Sequence, residues 1–209
     1  MTHTSLLETA ISEFGAKGIE GASTREIAAK AGTAMSSITY HFGGKEGLYV
    51  AAAKHIAVGM SMVVEGLDID GVIAGRDPAE ARQLIEQLLQ RFVEKVSRSA
   101  NEALFIVREQ MNPTEAFDYI YDGPMGKMWR KLTELVCIVT NSDDLRQCRI
   151  IAMTLIGQAI AIRASRASFE RLLGATLADA DVLDQVKAVI IANANAILDI
   201  HSRHEKTSA

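Results

Sequence analysis

Leu6, Leu7, Ala10, Ile11 and Phe14 recur at helical spacing, with Glu8 and Glu13 off that stripe, and Gly18 with Gly21 supplies a stop. The pattern predicts a first helix. Ser23-Thr24-Arg25-Glu26 sets a hydroxyl at a cap and a carboxylate three positions on, a capping box in which each side chain would satisfy a free N–H of the first turn. A short helix from Thr24 to Ala31 is expected to follow and to end at Gly32. Residues 35–42 predict another short helix, closed by Gly43-Gly44, and a long one should run from Lys45 to about Leu67.

Residues 68–77, DIDGVIAGRD, read as a connector. Asp77-Pro78-Ala79-Glu80 and Asn112-Pro113-Thr114-Glu115 share one design: a capping side chain, proline at the first helical position where its missing N–H does no harm, then glutamate. Pro124 after Asp122-Gly123 reads as a third start. Leu84, Ile85, Leu88, Leu89, Phe92, Val93 and Val96 mark one amphipathic helix, and residues 104–111 a shorter one. Met125 to Val139, Asp144 to about Ala167 and Ala180 to His201 carry three more apolar stripes. No alternating pattern competes, so the expected fold is all-α.

Composition agrees, with 48% apolar residues, 5% aromatics and 3 prolines in 209 residues. No uncharged apolar run reaches the ~18 residues a bilayer span needs. The first residues lack a basic start followed by a cleavage site, so no signal peptide and a cytoplasmic location are expected. Cys137 and Cys148 lie in apolar helical patterns and are expected as buried thiols. Asp68-x-Asp70-Gly71 lacks the other ligands of a calcium loop, and His201 with His204 reads as a solvated terminus, so neither a metal nor a cofactor is expected. No nucleophile arrangement suggests an enzyme.

Net charge is −4, which taken whole argues against a phosphate-rich partner. The distribution says otherwise. Residues 1–62 hold five basic and five acidic side chains, and residues 23–55 hold four basic against two acidic, plus His41 and His55. The acid lies elsewhere. A short helix, a glycine-containing turn and a second short helix over residues 23–42 is the layout of a helix-turn-helix unit. At about 100° per residue, Met35, Ile38 and Phe42 fall inward, leaving Ser36, Ser37, Tyr40 and His41 outward with Thr39 at the boundary. A capped helical hairpin with merely solvated polar groups has the same pattern, so both readings stand on spacing alone.

Residues 6–55 closely resemble the N-terminal domain of TetR-type transcriptional regulators, through Thr24-Arg25-Glu26-Ile27-Ala28, Ala31-Gly32, Tyr40-His41-Phe42 and Lys45-Glu46-Gly47-Leu48. The resemblance implies DNA contacts from Thr24, Arg25, Ser36, Ser37, Thr39, Tyr40, His41 and Lys45. Two departures stand out: Ala34 replaces the usual capping hydroxyl of the recognition helix, and Thr39 replaces a common aromatic. The remainder is more weakly similar to the C-terminal domain of the CecR subgroup, through Phe105-Ile106-Val107-Arg108-Glu109-Gln110 with Pro113-Thr114, and Leu155-Ile156-Gly157-Gln158 with Arg163.

These features together predict a three-helix helix-turn-helix domain over residues 1–62, joined by a long helix to an antiparallel helical bundle over residues 63–209 that senses ligand and dimerises. Nine or ten helices are expected. The expected activity is that of a repressor: a homodimer on a palindromic DNA operator, released by a small-molecule effector, with no membrane partner. Phe105, Arg108, Met128, Trp129 and Gln158 are candidates for a mostly apolar ligand cavity. Arg108 and Glu109 could equally serve structure, since charges in so apolar a helix are rarely buried unpaired. An all-α small-molecule binding protein without DNA binding is the alternative.

Overall fold

Ser23, Asp68, Asp77, Thr114 and Asp144 each accept at least one main-chain N–H in the first turn of the helix they precede. These caps set the boundaries in the computed structural model, which describes residues 3–204. The described residues form α1 (His3–Gly21), α2 (Thr24–Lys30), α3 (Met35–Phe42), α4 (Lys45–Ser61), α5 (Ile69–Gly75), α6 (Pro78–Arg98), α7 (Ala100–Met111) and α8 (Glu115–Ile120). A π-helical turn (Tyr121–Met125) leads into α9 (Gly126–Thr140), α10 (Leu145–Ala164), α11 (Arg166–Leu173) and α12 (Ala180–His204). No strand occurs among the described residues. The all-α expectation holds, and the elements beyond the nine or ten expected are the short α5 and α11.

Several boundaries differ from the expectation, each for a local reason. The segment read as a connector contains α5, because Asp68 accepts the Gly71 N–H at 3.0 Å and starts a turn of helix that buries Ile69. α4 stops at Ser61 rather than near Leu67, and Gly66 takes a left-handed φ of 73° in the turn beyond it. The cap of α8 is Thr114, not Asn112, so Pro113 lies outside the helix instead of at its first position. Pro124 falls inside the π-helical turn beside a non-helical Gly123, just ahead of α9.

The chain forms two compact units by contact. One contains residues up to Met62 together with Ser99–Gly126, and the other contains Val63–Arg98 with the residues from Lys127 onward. In the first unit, α7 packs on α1 so closely that a Cβ at Gly15 would stand 2.6 Å from the Asn101 carbonyl oxygen. Only glycine permits that crossing. Gly15→Ala is therefore expected to force the helices apart at a cost of about 1–3 kcal/mol. Thermal unfolding would show this as a lowered Tm, while Gly75→Ala, where a Cβ meets nothing within 4 Å, should not lower it.

In the second unit, Leu84, Ile85, Leu88 and Leu89 of α6 pack with Leu132, Leu135 and Val136 of α9, Ile151 and Leu155 of α10, and Leu198 of α12. Polar ties join α6 to α12: Arg82 pairs with Asp199 at 2.8 Å and Lys187 with Glu94 at 2.7 Å. α10 is long and apolar enough by length and composition to cross a membrane, yet only 33% of that window is buried. Leu145, Ile150 and Met153 on α10 and Val189 and Ile200 on α12 are more than half exposed. The two cysteines, expected as separate thiols, are bonded to each other across the α9–α10 turn.

Candidate nucleic-acid interface

The turn between α2 and α3 is built by main-chain bonds. Gly32, at φ 63°, lets its own N–H reach the Ala29 carbonyl and the Thr33 N–H reach that of Ala28, a left-handed helix end that aims the chain into α3. Ala34 begins α3 with no side-chain cap, as the missing hydroxyl implies. Ser23 accepts the Glu26 N–H at a long 3.5 Å, but the return half of the capping box is not made. The Glu26 carboxylate pairs instead with Lys17 at 2.6 Å. Glu13, buried in α1, ties Lys30 of α2 and Lys17 together, and Lys30 and Lys17 hold its carboxyl below the usual range. That contribution to the α1–α2 packing exists at neutral pH and is lost as pH falls through the lowered value.

Ile38 is the buried residue of α3, 1% exposed, on a helix that packs against α2 and α4. Met35, expected inward, is 53% exposed on this eight-residue helix. Ser36, Thr39, Tyr40 and His41 are exposed and Ser37 is half-buried, with Tyr40 at 85%. The Tyr40 and His41 rings meet edge to face at 4.9 Å. This surface presents hydroxyls and an imidazole, groups that donate to phosphate oxygens and base edges.

The junction with α4 is fixed by glycine. A Cβ at Gly47 would fall within 1.7 Å of the Phe42 carbonyl oxygen, so the end of α3 can press on the first turn of α4 only with glycine there. Lys45, half-buried at that first turn, donates to the Glu20 carbonyl at 3.2 Å and so ties the end of α1 to the start of α4. Thr24 is half-buried and Arg25 exposed at the start of α2. All eight expected DNA-contact residues thus lie in the first unit, on α2, α3 and the start of α4.

The five ligand candidates are divided. Phe105 and Arg108 belong to the first unit, and Met128, Trp129 and Gln158 to the second. Phe105 is fully buried and stacks on Tyr49 at 4.5 Å, while Phe14 meets Tyr49 edge-on at 4.9 Å. Met128 and Trp129 are half-buried. Gln158 accepts from Asn193 of α12 at 3.0 Å, and its buried Nε2 lacks a partner among the described residues. A groove of about 360 Å³ in the second unit, with Gln147, Ile150 and His201 among its walls, uses none of the five.

Arg108 and Glu109 supply ties that spacing alone did not reveal. The Arg108 guanidinium donates to the Gly15 and Ala16 carbonyls, both at 2.7 Å. A non-helical Gly18 interrupts α1 just beyond them, so these carbonyls form the end of a helical stretch, where a cation suits the dipole. Glu109, 2% exposed, accepts the Tyr49 hydroxyl of α4 at 2.6 Å and the Thr114 N–H and hydroxyl at 3.1 and 2.9 Å. Burial first, and then the Glu109 carboxylate, push the Tyr49 hydroxyl well above its ordinary pKa, keeping it a donor. The signal in the sequence was two adjacent charges inside LFIVREQM.

Residues 6–52 match the tetR family of bacterial regulatory proteins, and residues 80–199 match the C-terminal domain of the HTH-type transcriptional dual regulator CecR. The CecR dual regulator of Shigella flexneri is 30% identical over 201 residues, spanning 92% of this chain and 89% of that protein. Among solved structures, FadR of Bacillus subtilis in complex with stearoyl-CoA has a TM-score of 0.60 at 16% identity, covering 97% of this chain and 98% of that one. A transcriptional regulator from Streptomyces coelicolor has a TM-score of 0.58 at 17% identity, covering 94% and 98%. Those two likenesses concern the fold. The matched segments carry the α2–α3 motif and most of the second unit, and on them the chain belongs to the tetR family of bacterial transcriptional regulators, with a C-terminal domain of the CecR type.

Proposed function

We propose that the chain acts in the cytoplasm as a homodimeric repressor that reads a palindromic operator through α3 and is released by a small-molecule effector. The observation that carries the reading is the face of α3: Ile38 alone is fully buried, and Ser36, Thr39, Tyr40 and His41 stand out around an 85% exposed Tyr40. Thr24, Arg25, Ser37 and Lys45 complete the contact set. No side chain on that face is an arginine, asparagine or glutamine suited to a bidentate base contact. Sequence preference then rests partly on DNA shape.

One short recognition helix gives little affinity, whereas two held about 34–36 Å apart read successive major grooves. The second copy is supplied through α10 and α12, whose exposed apolar residues Leu145, Ile150, Met153, Val189 and Ile200 would pair as a four-helix interface. This also accounts for an apolar α10 that is two-thirds unburied. Residues 1–62 would be the DNA reader, with Ser99–Gly126 of the expected 63–209 sensor domain packed in the same unit, and Val63–Arg98 with the residues from Lys127 onward the sensor and dimer. Gln158, with its unpartnered Nε2, is the ligand candidate that the geometry supports best. The FadR neighbour was solved with stearoyl-CoA, which makes long acyl ligands a reasonable first class to screen.

The test is a salt titration of binding to DNA fragments from the source genome, starting with the gene's own upstream region. A steep linear fall of log K with log salt is expected. A flat salt response with no footprint on any fragment would instead support a binding protein without DNA.

A further inference from the structure

Cys137 and Cys148 lie eleven residues apart with Cα atoms 5.6 Å apart, within the span a disulfide bridges. The bond joins the last turns of α9 to the first turns of α10. Two facts suit this place to both redox states. First, the turn is closed without the sulfurs: the Ser142 N–H reaches the Cys137 carbonyl at 3.1 Å and the Asn141 N–H reaches that of Ile138 at 3.3 Å, with Asn141 left-handed at φ 52°. Second, the Ser142 carbonyl lies 4.0 Å from Cys148 Sγ, so a reduced, fully buried Cys148 has an acceptor for its thiol proton. Breaking the bond leaves neither an open turn nor an orphaned group.

The two sulfurs differ in access. Cys148, on the first turns of α10, is fully buried in the core, whereas Cys137 is half-buried. A small oxidant meets Cys137 first.

We propose that Cys137 and Cys148 are a reversible thiol–disulfide pair, oxidised by a small hydroperoxide, that ties α9 to α10 in the second unit. The Cys137 thiolate attacks the hydroperoxide, its S–O bond forms as the O–O bond breaks, and the alcohol or water leaves with the thiol proton. Cys148 Sγ then attacks Cys137 Sγ; the S–S bond forms, the S–O bond breaks, and hydroxide leaves as water with the Cys148 proton. Two thiols lose two electrons and one hydroperoxide gains them. Exchange with a dithiol reverses the step. In a cytoplasmic protein such a bond is transient, and the dithiol is the resting form.

The experiment uses the full chain, reduced with dithiothreitol, freed of it and titrated with hydrogen peroxide. After acid quenching and unfolding, the count of alkylated thiols should fall from two to zero with a mass loss of about 2 Da, and dithiothreitol should restore both. The oxidised protein should melt about 5 °C or more above the reduced one, because the bond closes a short loop in the unfolded chain. Cys148→Ala should instead stop at a sulfenic acid on Cys137, trapped by a dimedone-type reagent. Two thiols that remain alkylatable after peroxide, or a bond found only between chains, would overturn the proposal. So would identical melting of the two forms, and the wild-type readings decide this even where a variant folds poorly.

Discussion

Alanine at both Tyr40 and Lys45 is expected to abolish specific operator binding while leaving the protein folded and dimeric. Tyr40 is 85% exposed, so its truncation removes a solvent-facing ring of the proposed contact set without opening a cavity. Lys45 adds a cation at the first turn of α4, where free N–H groups already favour phosphate, and within the protein it donates to the exposed end of α1 at the Glu20 carbonyl. In a dimer the two changes remove four side chains from the interface. A loss of at least ~100-fold in affinity, about 2.7 kcal/mol, is expected. The slope of log K against log salt should flatten by about 0.9 for each phosphate that is no longer neutralised. Helical content and dimer mass should be unchanged by circular dichroism and light scattering. Affinity within twofold of wild type would remove α3 from the role proposed for it.

Glu109→Ala should be the most destabilising polar substitution in the first unit. It orphans the buried Tyr49 hydroxyl and both donors of Thr114, the residue that caps α8. Thr114 is exposed, so water can take its two donors, and the buried Tyr49 hydroxyl left unpaired carries most of the expected cost of about 1–3 kcal/mol. Glu109→Gln keeps one acceptor oxygen and should cost less. A double-mutant cycle with Tyr49→Phe separates the pair from its surroundings, and a coupling of at least ~0.5 kcal/mol is expected in chemical unfolding. Unaltered midpoints for Glu109→Ala would mean that water satisfies these groups as well as the carboxylate does.

Local rules carried much of the architecture. Helix starts were legible at Asp77 and Asp144 because a cap is decided within four residues, and the α2–α3 motif was legible because its stop, Gly32, and its core anchor, Ile38, are set by steric and burial demands on single positions. What stayed hidden depends on packing far along the chain or on small differences. α5 is seven residues with three chain-breaking or acidic members, and its stabilisation comes from the Asp68 cap, the burial of Ile69 with Val72 and Ile73 packed beside it, and the Asp70–Lys131 pair at 2.9 Å. Met35 sits on the apolar side of the wheel yet is 53% exposed, since a wheel gives direction and not burial. Thr114 outcompeted Asn112 as the cap of α8 because Glu109, five residues earlier, holds its main chain and hydroxyl. Arg108 read either as a structural charge or as a ligand group; its partners, the Gly15 and Ala16 carbonyls, lie more than ninety residues away, beyond the reach of local spacing.

The packing of Ser99–Gly126 with the N-terminal residues bears on how such regulators can be recombined. A chimera that grafts residues 1–62 onto another protein's sensor would leave behind Asn101, Phe105, Arg108 and Glu109, and would bare Gly15, the Gly15 and Ala16 carbonyls and the Tyr49 hydroxyl. The transferable module is discontinuous in sequence. Exchange between relatives should carry the 99–126 segment along with the reader, so that the parent's own interdigitated surfaces travel as one piece.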